Sequence, residues 1–280
     1  MGKSLLFTVA IIILISSITL ACSDKPKKNK AKKSSPPPRN LITHNSSFNE
    51  KTGEFIPDPH TVALWHFNEG KDVIATDSTV NNNAGVINGG TPWVNGRFGL
   101  GLRFANSGST IEIEDSPQLT PRDALTVEFW LYIEETQTKF PIIFSKDSNA
   151  ETGNLAGNPS FHMVLHNVPQ DQSVTLRIAT DMGLIPMHIK DVWRNLVNGW
   201  HYFAITYDSR HIRFYVDGEL LGKQAQNGKI IKNNNHLTLG NRTFNSPNNR
   251  FQGIIDEMRI SNVARSHRAI RNYWKAVSKK

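Results

Sequence analysis

Between Gly199 and Glu219 the chain reads GWHYFAITYDSRHIRFYVDGE, and alternate residues fall into two sets. Phe203, Ile205 and Tyr207, then Ile212, Phe214 and Val216, form an apolar set. Tyr202, Ala204 and Thr206, then His211, Arg213 and Tyr215, form a mixed set of rings and charges. A period of two belongs to a strand, whose successive side chains point to opposite faces. The same period recurs in TVALWHF (61–67), STIEIED (109–115), LTVEFWLYI (125–133), PIIFSKD (141–147), SFHMVLHNV (160–168), SVTLRIATD (173–181), HLTLGN (236–241) and IIDEMRIS (254–261). Asp217-Gly218 inside VDGE supplies the positive dihedral angles of a tight hairpin. Only SHRAIRNYWKAVSKK (266–280) carries apolar residues at helical spacing, with Ser266 placed as a cap. Many short strands with no helix between them predict an all-β, antiparallel two-sheet sandwich or jelly roll closed by a short C-terminal helix.

The two-sided pattern extends to other strands. Val127, Phe129, Leu131 and Ile133 oppose Glu128, Trp130 and Tyr132; Phe161, Met163 and Leu165 oppose His162, Val164 and His166; Val174, Leu176 and Ile178 oppose Thr175 and Arg177. The first set predicts the core, worth about 1.5–3 kcal/mol per fully buried side chain. The second set differs from an ordinary wet face, where Lys, Glu, Thr and Ser prevail. Glu128, Trp130, Tyr132, His162, His166, Arg177, Tyr202, Arg213 and Tyr215 combine flat rings with charged groups. Rings stack on the apolar faces of sugars while polar groups fix hydroxyls, so these nine are candidate ligand-binding residues, with Trp130 and Arg177 lining one groove. A protein interface uses the same residue types. A third reading is that MGLIPMHIKDVWRNLVN (182–198) covers the face and the rings pack beneath it.

Charge and the N-terminus change this picture. The net charge of +8 is concentrated at the ends: residues 22–40 carry +6 and residues 266–280 carry +5, leaving residues 41–265 at −4. A fold with no basic excess excludes nucleic acid as the expected partner. Lys3 precedes an apolar run, LLFTVAIIILISSITLA, that ends at Cys22, the sole cysteine. A positive start, a short apolar run and small residues make a secretory signal. With Cys22 directly after it, the segment resembles a bacterial lipoprotein signal, although Thr19 stands where that pattern favours Leu. The resemblance implies lipidation of Cys22 and a place in the bacterial cell envelope, with the lipid anchor as the only membrane contact. One cysteine excludes disulfides. Lys- and Pro-rich SDKPKKNKAKKSSPPPRN cannot bury a core. The expected organisation is a signal peptide over 1–21, a lipidated, disordered tether over 22–58, a jelly-roll domain over 59–265 and a basic helix and tail over 266–280.

LWHFNEG (64–70), DSTVNNNAGVINGG (77–90), WVNGRFGLGLRF (93–104), LTVEFW (125–130), WHYFAITYD with IRFYVDGEL, and FQGIIDEMRISNVARS (251–266) occur in an order that resembles laminin-G-like domains of the concanavalin A-like lectin/glucanase superfamily. The resemblance implies a two-sheet jelly roll with its first and last strands adjacent. Such domains often hold a structural calcium at the sandwich rim, which makes Asp77, Asn83 and Asp256 candidate ligands; the alternative is that Asp77 and the asparagines only build turns. Glucanases of the superfamily place catalytic carboxylates along one strand, because acid and nucleophile flank one bond. IEIED has Glu112 and Glu114 at that spacing, but lacks the central Asp and the third Glu. The expectation is a non-catalytic, surface-tethered module binding carbohydrate or glycoconjugate; the alternatives are a structural or adhesive domain binding a protein partner and, after it, a glycoside hydrolase.

Overall fold

The computed structural model describes residues 46–106, 108–146, 159–241 and 247–280. The signal peptide, Cys22 and most of the expected tether lie outside the described residues. In chain order the elements are β1 (Thr61–Trp65), β2 (Ile74–Ala75), β3 (Gly85–Asn88), β4 (Trp93–Asn95), β5 (Leu100–Phe104), β6 (Thr110–Ile113), β7 (Leu125–Ile133), β8 (Ile142–Lys146), β9 (Phe161–Leu165), β10 (Val174–Ile178), β11 (Met187–Ile189), β12 (Trp200–Tyr207), β13 (His211–Val216), β14 (Glu219–Ala225), β15 (Leu237–Leu239), β16 (Gly253–Ser261) and α1 (His267–Val277).

They build two antiparallel sheets. The first runs β14-β13-β12-β7-β16-β5-β4, with β1 also paired to β16; the second runs β11-β10-β9-β8-β15-β6-β3-β2. First and last strands are therefore neighbours, with Leu64 opposite Arg259. The apolar sets read from the sequence meet between the sheets: Phe129, Phe203, Ile205 and Phe214 from one side share a core with Phe144, Phe161, Met163 and Leu176 from the other. Phe129 and Phe203 stack with centroids 5.4 Å apart. Asp217 (φ 52°) and Gly218 (φ 78°) turn the β13–β14 hairpin in the left-handed region, as Asp-Gly favours. A Cβ on Gly218 would also press on the Trp274 side chain at 3.1 Å.

Three expectations change. Residues 182–198 do not lie over the first sheet. Their central part forms β11, which extends the second sheet beside β10, and Trp193 enters the core between the sheets. Residues 46–58, expected in the tether, belong to the fold: Phe48 bridges Phe55 and Phe55 is buried. The C-terminal helix is no solvated appendage. Ser266 caps it by accepting from Ala269 N (3.1 Å), and Ile270, Tyr273 and Val277 are buried. Its basic residues Arg268, Arg271 and Lys275 sit on the remaining, exposed side.

Candidate functional site

The outer face of the first sheet is largely sealed by α1 and the 46–57 segment. Trp130, Tyr202, Tyr215, Phe55, Ile270 and Tyr273 form a second apolar cluster there. Trp130 Nε1 donates to Tyr273 Oη (3.0 Å), and the Tyr273 hydroxyl donates to Gly53 O (3.0 Å). Phe55 stacks on Tyr273 at 4.6 Å, and the Arg259 guanidinium lies 3.8 Å from the Phe55 ring centre. Glu128 is fully buried; one carboxylate oxygen accepts from the Tyr202 hydroxyl, the other from Arg259 Nη2 (2.7 Å) and Nε (3.0 Å). Arg265 Nε lies 3.1 Å from that second oxygen, and Arg265 Nη2 donates to Asp58 (2.7 Å). Burial, reinforced by Glu128, pushes the Tyr202 hydroxyl well above its ordinary pKa, so it remains a donor. Glu128, Trp130, Tyr202 and Tyr215 are thus interior residues, not ligand contacts: buried charges persist only with partners, and here the partners are protein. Arg213 donates to Asp208 (2.8 Å) and fixes the turn before β13.

Tyr132 escapes the cover. Across the sheet the register aligns Trp200, Tyr132, Ile254 and Arg103 on four adjacent strands, β12, β7, β16 and β5. All four share the outward side of Trp130, one pleat further along. Trp200, Tyr132 and Ile254 are half-buried and Arg103 is exposed. The Trp200 and Tyr132 rings meet edge to face at 5.8 Å. Gly101 keeps the floor low beside Ile254: a Cβ there would come within 3.1 Å of the Ile254 side chain. Arg103 Nε donates to Glu134 (2.8 Å), placing a paired cation and anion at one end. The row abuts the sealed cluster: Trp200 packs against it, and Arg97 lies over the Trp130 ring at 4.8 Å while donating to Val277 O (3.0 Å). Apolar rings with polar groups at the margin suit a ligand having an apolar face and hydroxyls around it.

His162, His166 and Arg177 belong to the second sheet, whose outer surface faces the other way. Trp130 and Arg177 therefore do not line one groove; the core lies between them. The sequence pattern sorts residues into inner and outer but carries no record of which sheet a strand joins. His162 is buried, with Nε2 3.2 Å from Arg177 Nη1. His166 joins Asp171, Thr175 and His188 on this surface.

The proposed calcium ligands do not fit the ion. Asp77 accepts from Leu64 N (3.0 Å), Thr79 N (2.9 Å), Thr79 Oγ1 (2.9 Å), Asn83 N (2.8 Å) and Asn83 Nδ2 (3.1 Å), and Asn83 Oδ1 accepts from Ser116 (2.6 Å). These oxygens already serve a turn lock, whereas calcium requires six to eight of them. Asp256 is in a different network, accepting from Phe98 N (2.8 Å). Burial, then the charge of Glu257, raises its pKa well above the usual carboxylate range, against the ionised form a cation needs. Among the described residues, no group of three or more His, Cys, Asp or Glu side chains is placed to hold a metal ion.

Trp200, Ile254, Gly101 and Arg103 were absent from the sequence-derived candidates. A signal existed for Trp200, which lies two positions before Tyr202 and must share its side. Thr175 was legible as outward-facing; Asp171 and His188 depend on a turn and on β11, which local pattern does not reveal.

Residues 105–271 match the laminin-G family model of the concanavalin A-like lectin/glucanases superfamily. The chain belongs to that superfamily. Human pappalysin-1 is 25% identical over 179 residues, covering 60% of this chain but 11% of that protein, so the chain spans about a tenth of the length of the curated relative it matches. Domain 4 of AbnA, a GH43 extracellular arabinanase from Geobacillus stearothermophilus solved with arabinotriose, superposes with a TM-score of 0.58 at 20% identity, covering 76% of this chain and 98% of that one. The receptor binding domain of botulinum neurotoxin D gives 0.59 at 14% identity, covering 77% and 52%. The binding domain of Paraclostridial Mosquitocidal Protein 1 gives 0.57 at 17%, also covering 77% and 52%. At these identities the likeness is one of fold.

Proposed function

We propose that the protein is a non-catalytic, lectin-like binding module that takes carbohydrate or glycoconjugate along the Trp200–Tyr132–Ile254 row. The observation that carries this reading is the pair of half-open rings, Trp200 and Tyr132, held edge to face at 5.8 Å on a rigid sheet beside the Arg103–Glu134 ion pair. Rings fixed by strand pairing lose little conformational freedom on binding, and sugars offer flat apolar faces to them. The fold relative solved with arabinotriose supports carbohydrate over a protein partner as the ligand class. A non-catalytic role accords with IEIED departing from the glucanase pattern. Lipidation at Cys22 belongs to the same reading and would hold the module at the bacterial envelope. The test is a glycan array, followed by calorimetry with any glycan found, on wild type, Trp200→Ala and Tyr132→Ala. Loss of about tenfold or more in affinity in both variants, with unchanged thermal unfolding, is expected. Undiminished binding in both would remove the row as the site, and binding of proteins but of no glycan would move the function to adhesion.

A further inference from the structure

The aromatic row has a definite length. Trp200, Tyr132, Ile254 and Arg103 stand opposite one another on four adjacent strands, so the row crosses three strand spacings, roughly 14 Å in all. One pleat towards the sealed cluster, Trp130 and Asp256 are fully buried. One pleat the other way, Glu134 N donates to Gln252 O (3.1 Å), and the Gln137 side-chain amide donates to the carbonyls of both residues. Protein therefore borders the row on both long sides, and an extended ligand has room only across the strands. Neither end meets a further paired strand among the described residues. β13 pairs with β12 only from Phe203 onwards, and Arg103 N donates to Pro92 O (3.0 Å), one residue before β4 begins. Ends that run out at the sheet margin suit the interior of a chain, not its terminus.

The row also has a fixed twist. The ring planes of Trp200 and Tyr132 are 63° apart. No single flat face lies on both. A chain that stacks on each must turn its second ring relative to the first. Equatorially linked glucose chains hold successive rings in one flat ribbon and meet only one of these planes. Axially linked glucose chains, and furanose chains joined through an exocyclic carbon, turn from ring to ring and meet both. At the far end the chemistry changes from apolar to polar. Among the described residues the Arg103 side chain bonds only Glu134, through Nε, and its exposed guanidinium keeps the Nη1 and Nη2 hydrogens for a ligand. The Glu134 carboxylate beside them accepts. Donors and an acceptor side by side suit the neighbouring hydroxyls of a sugar. One sugar ring with its linking oxygen advances a chain by roughly one strand spacing. Three spacings thus hold about three units, two against rings and the third against Ile254 and Arg103.

We propose that the row takes an internal run of about three units of a linear saccharide whose successive rings turn, laid across the strands, with Arg103 selecting for the third unit. This rests on the carbohydrate reading of the row given above. The probes are malto-, cello- and arabino-oligosaccharides from monomer to pentamer, with soluble starch and debranched arabinan as polymers, added to the full chain in mild detergent and followed by calorimetry. A size series of any linear glycan found on the array is run beside them. Malto- and cello-oligomers share one sugar, so a difference between them reports linkage alone. In at least one turning series affinity should rise about tenfold from dimer to trimer and then level off, since a hydrogen bond to a charged group is worth about that much. The cello series should show no such rise. Arg103→Ala, at an exposed position, should bring the trimer-to-dimer affinity ratio to about one. The polymer should bind each site as tightly as the trimer does. A cello gain equal to that of the turning series, an unchanged ratio in Arg103→Ala, or trimer binding without polymer binding would each overturn the proposal. Glycan binding with no gain beyond one unit would sink it and leave the row standing as the site; no binding of any glycan would sink both.

Discussion

Trp130 and Trp200 lie on adjacent strands of one face, one pleat apart, and do different work. Trp130 is fully buried, hydrogen-bonded to Tyr273 and packed against Trp274 at 5.6 Å. Trp200 keeps part of its ring in solvent. Trp130→Ala should cost about 3–5 kcal/mol of stability in urea unfolding, the usual range for a large buried ring. Trp200→Ala should unfold within about 1 kcal/mol of wild type while losing glycan affinity. The reverse pattern would assign ligand contact to the wrong tryptophan. Asp256 makes a second prediction at this scale. The folded protein raises its pKa, first by burial and then through Glu257, so the native state retains a proton that the unfolded chain releases above about pH 4. Glu257 is raised too, burial outweighing the opposing pull of His66. Native binding of extra protons makes stability fall as pH rises through that window, by up to about 1.4 kcal/mol per pH unit for each such group. Asp256→Asn keeps an oxygen for Phe98 N and cannot ionise. Stability measured from pH 4 to 8 should therefore fall less steeply in the variant; identical slopes would show that Asp256 is ionised throughout.

At the scale of elements, what local pattern records and what it omits separate cleanly. β7 covers 125–133 as the alternation indicates, and β12, β13 and α1 fall where period and cap place them. β2, β4 and β11 have two or three residues each, too few for any period to register. The outward side of β7 and β12 was legible too, down to each residue. What covers that side was not. The cover comes from Phe48 and Phe55 near the start of the domain and from α1 at its end, joined to the sheet by contacts as distant in sequence as Tyr273 to Gly53 and Arg259 to Ser47. No local rule links such segments; complementary shape and paired charge do. Lys280 also bonds the carbonyl of Glu50, tying the two covers together. Tyr273 is the joint of this assembly, accepting from Trp130 and donating to Gly53. Tyr273→Phe keeps the ring but strands a buried indole N–H and a buried carbonyl, each costing about 1–3 kcal/mol. The variant should lose at least that amount in urea unfolding, and amide exchange should quicken in 46–57 before it does in β7. Unchanged stability and exchange would mean that the covers are held by apolar packing alone.

For the whole molecule, the sandwich places the aromatic row and the histidine chain on opposite outer surfaces with the shared core between them. Packed sheets are about 10 Å apart, and the side chains on both outer faces add to that separation. The register gives Trp200 and Tyr132 to the first sheet and Thr175 and His188 to the second, so no strand carries residues of both groups. Sites this far apart, with no common partner and no hydrogen-bond network between them among the described residues, combine additively within about 0.3–0.5 kcal/mol. Stability supplies a test of the architecture itself. Trp200→Ala and His188→Gln, one on each outer surface, should therefore have independent effects. In urea unfolding the double variant should change stability by the sum of the two single changes, within about 0.5 kcal/mol. A larger departure would mean that the faces communicate through the core, which a close-packed interior permits only if both sheets shift together.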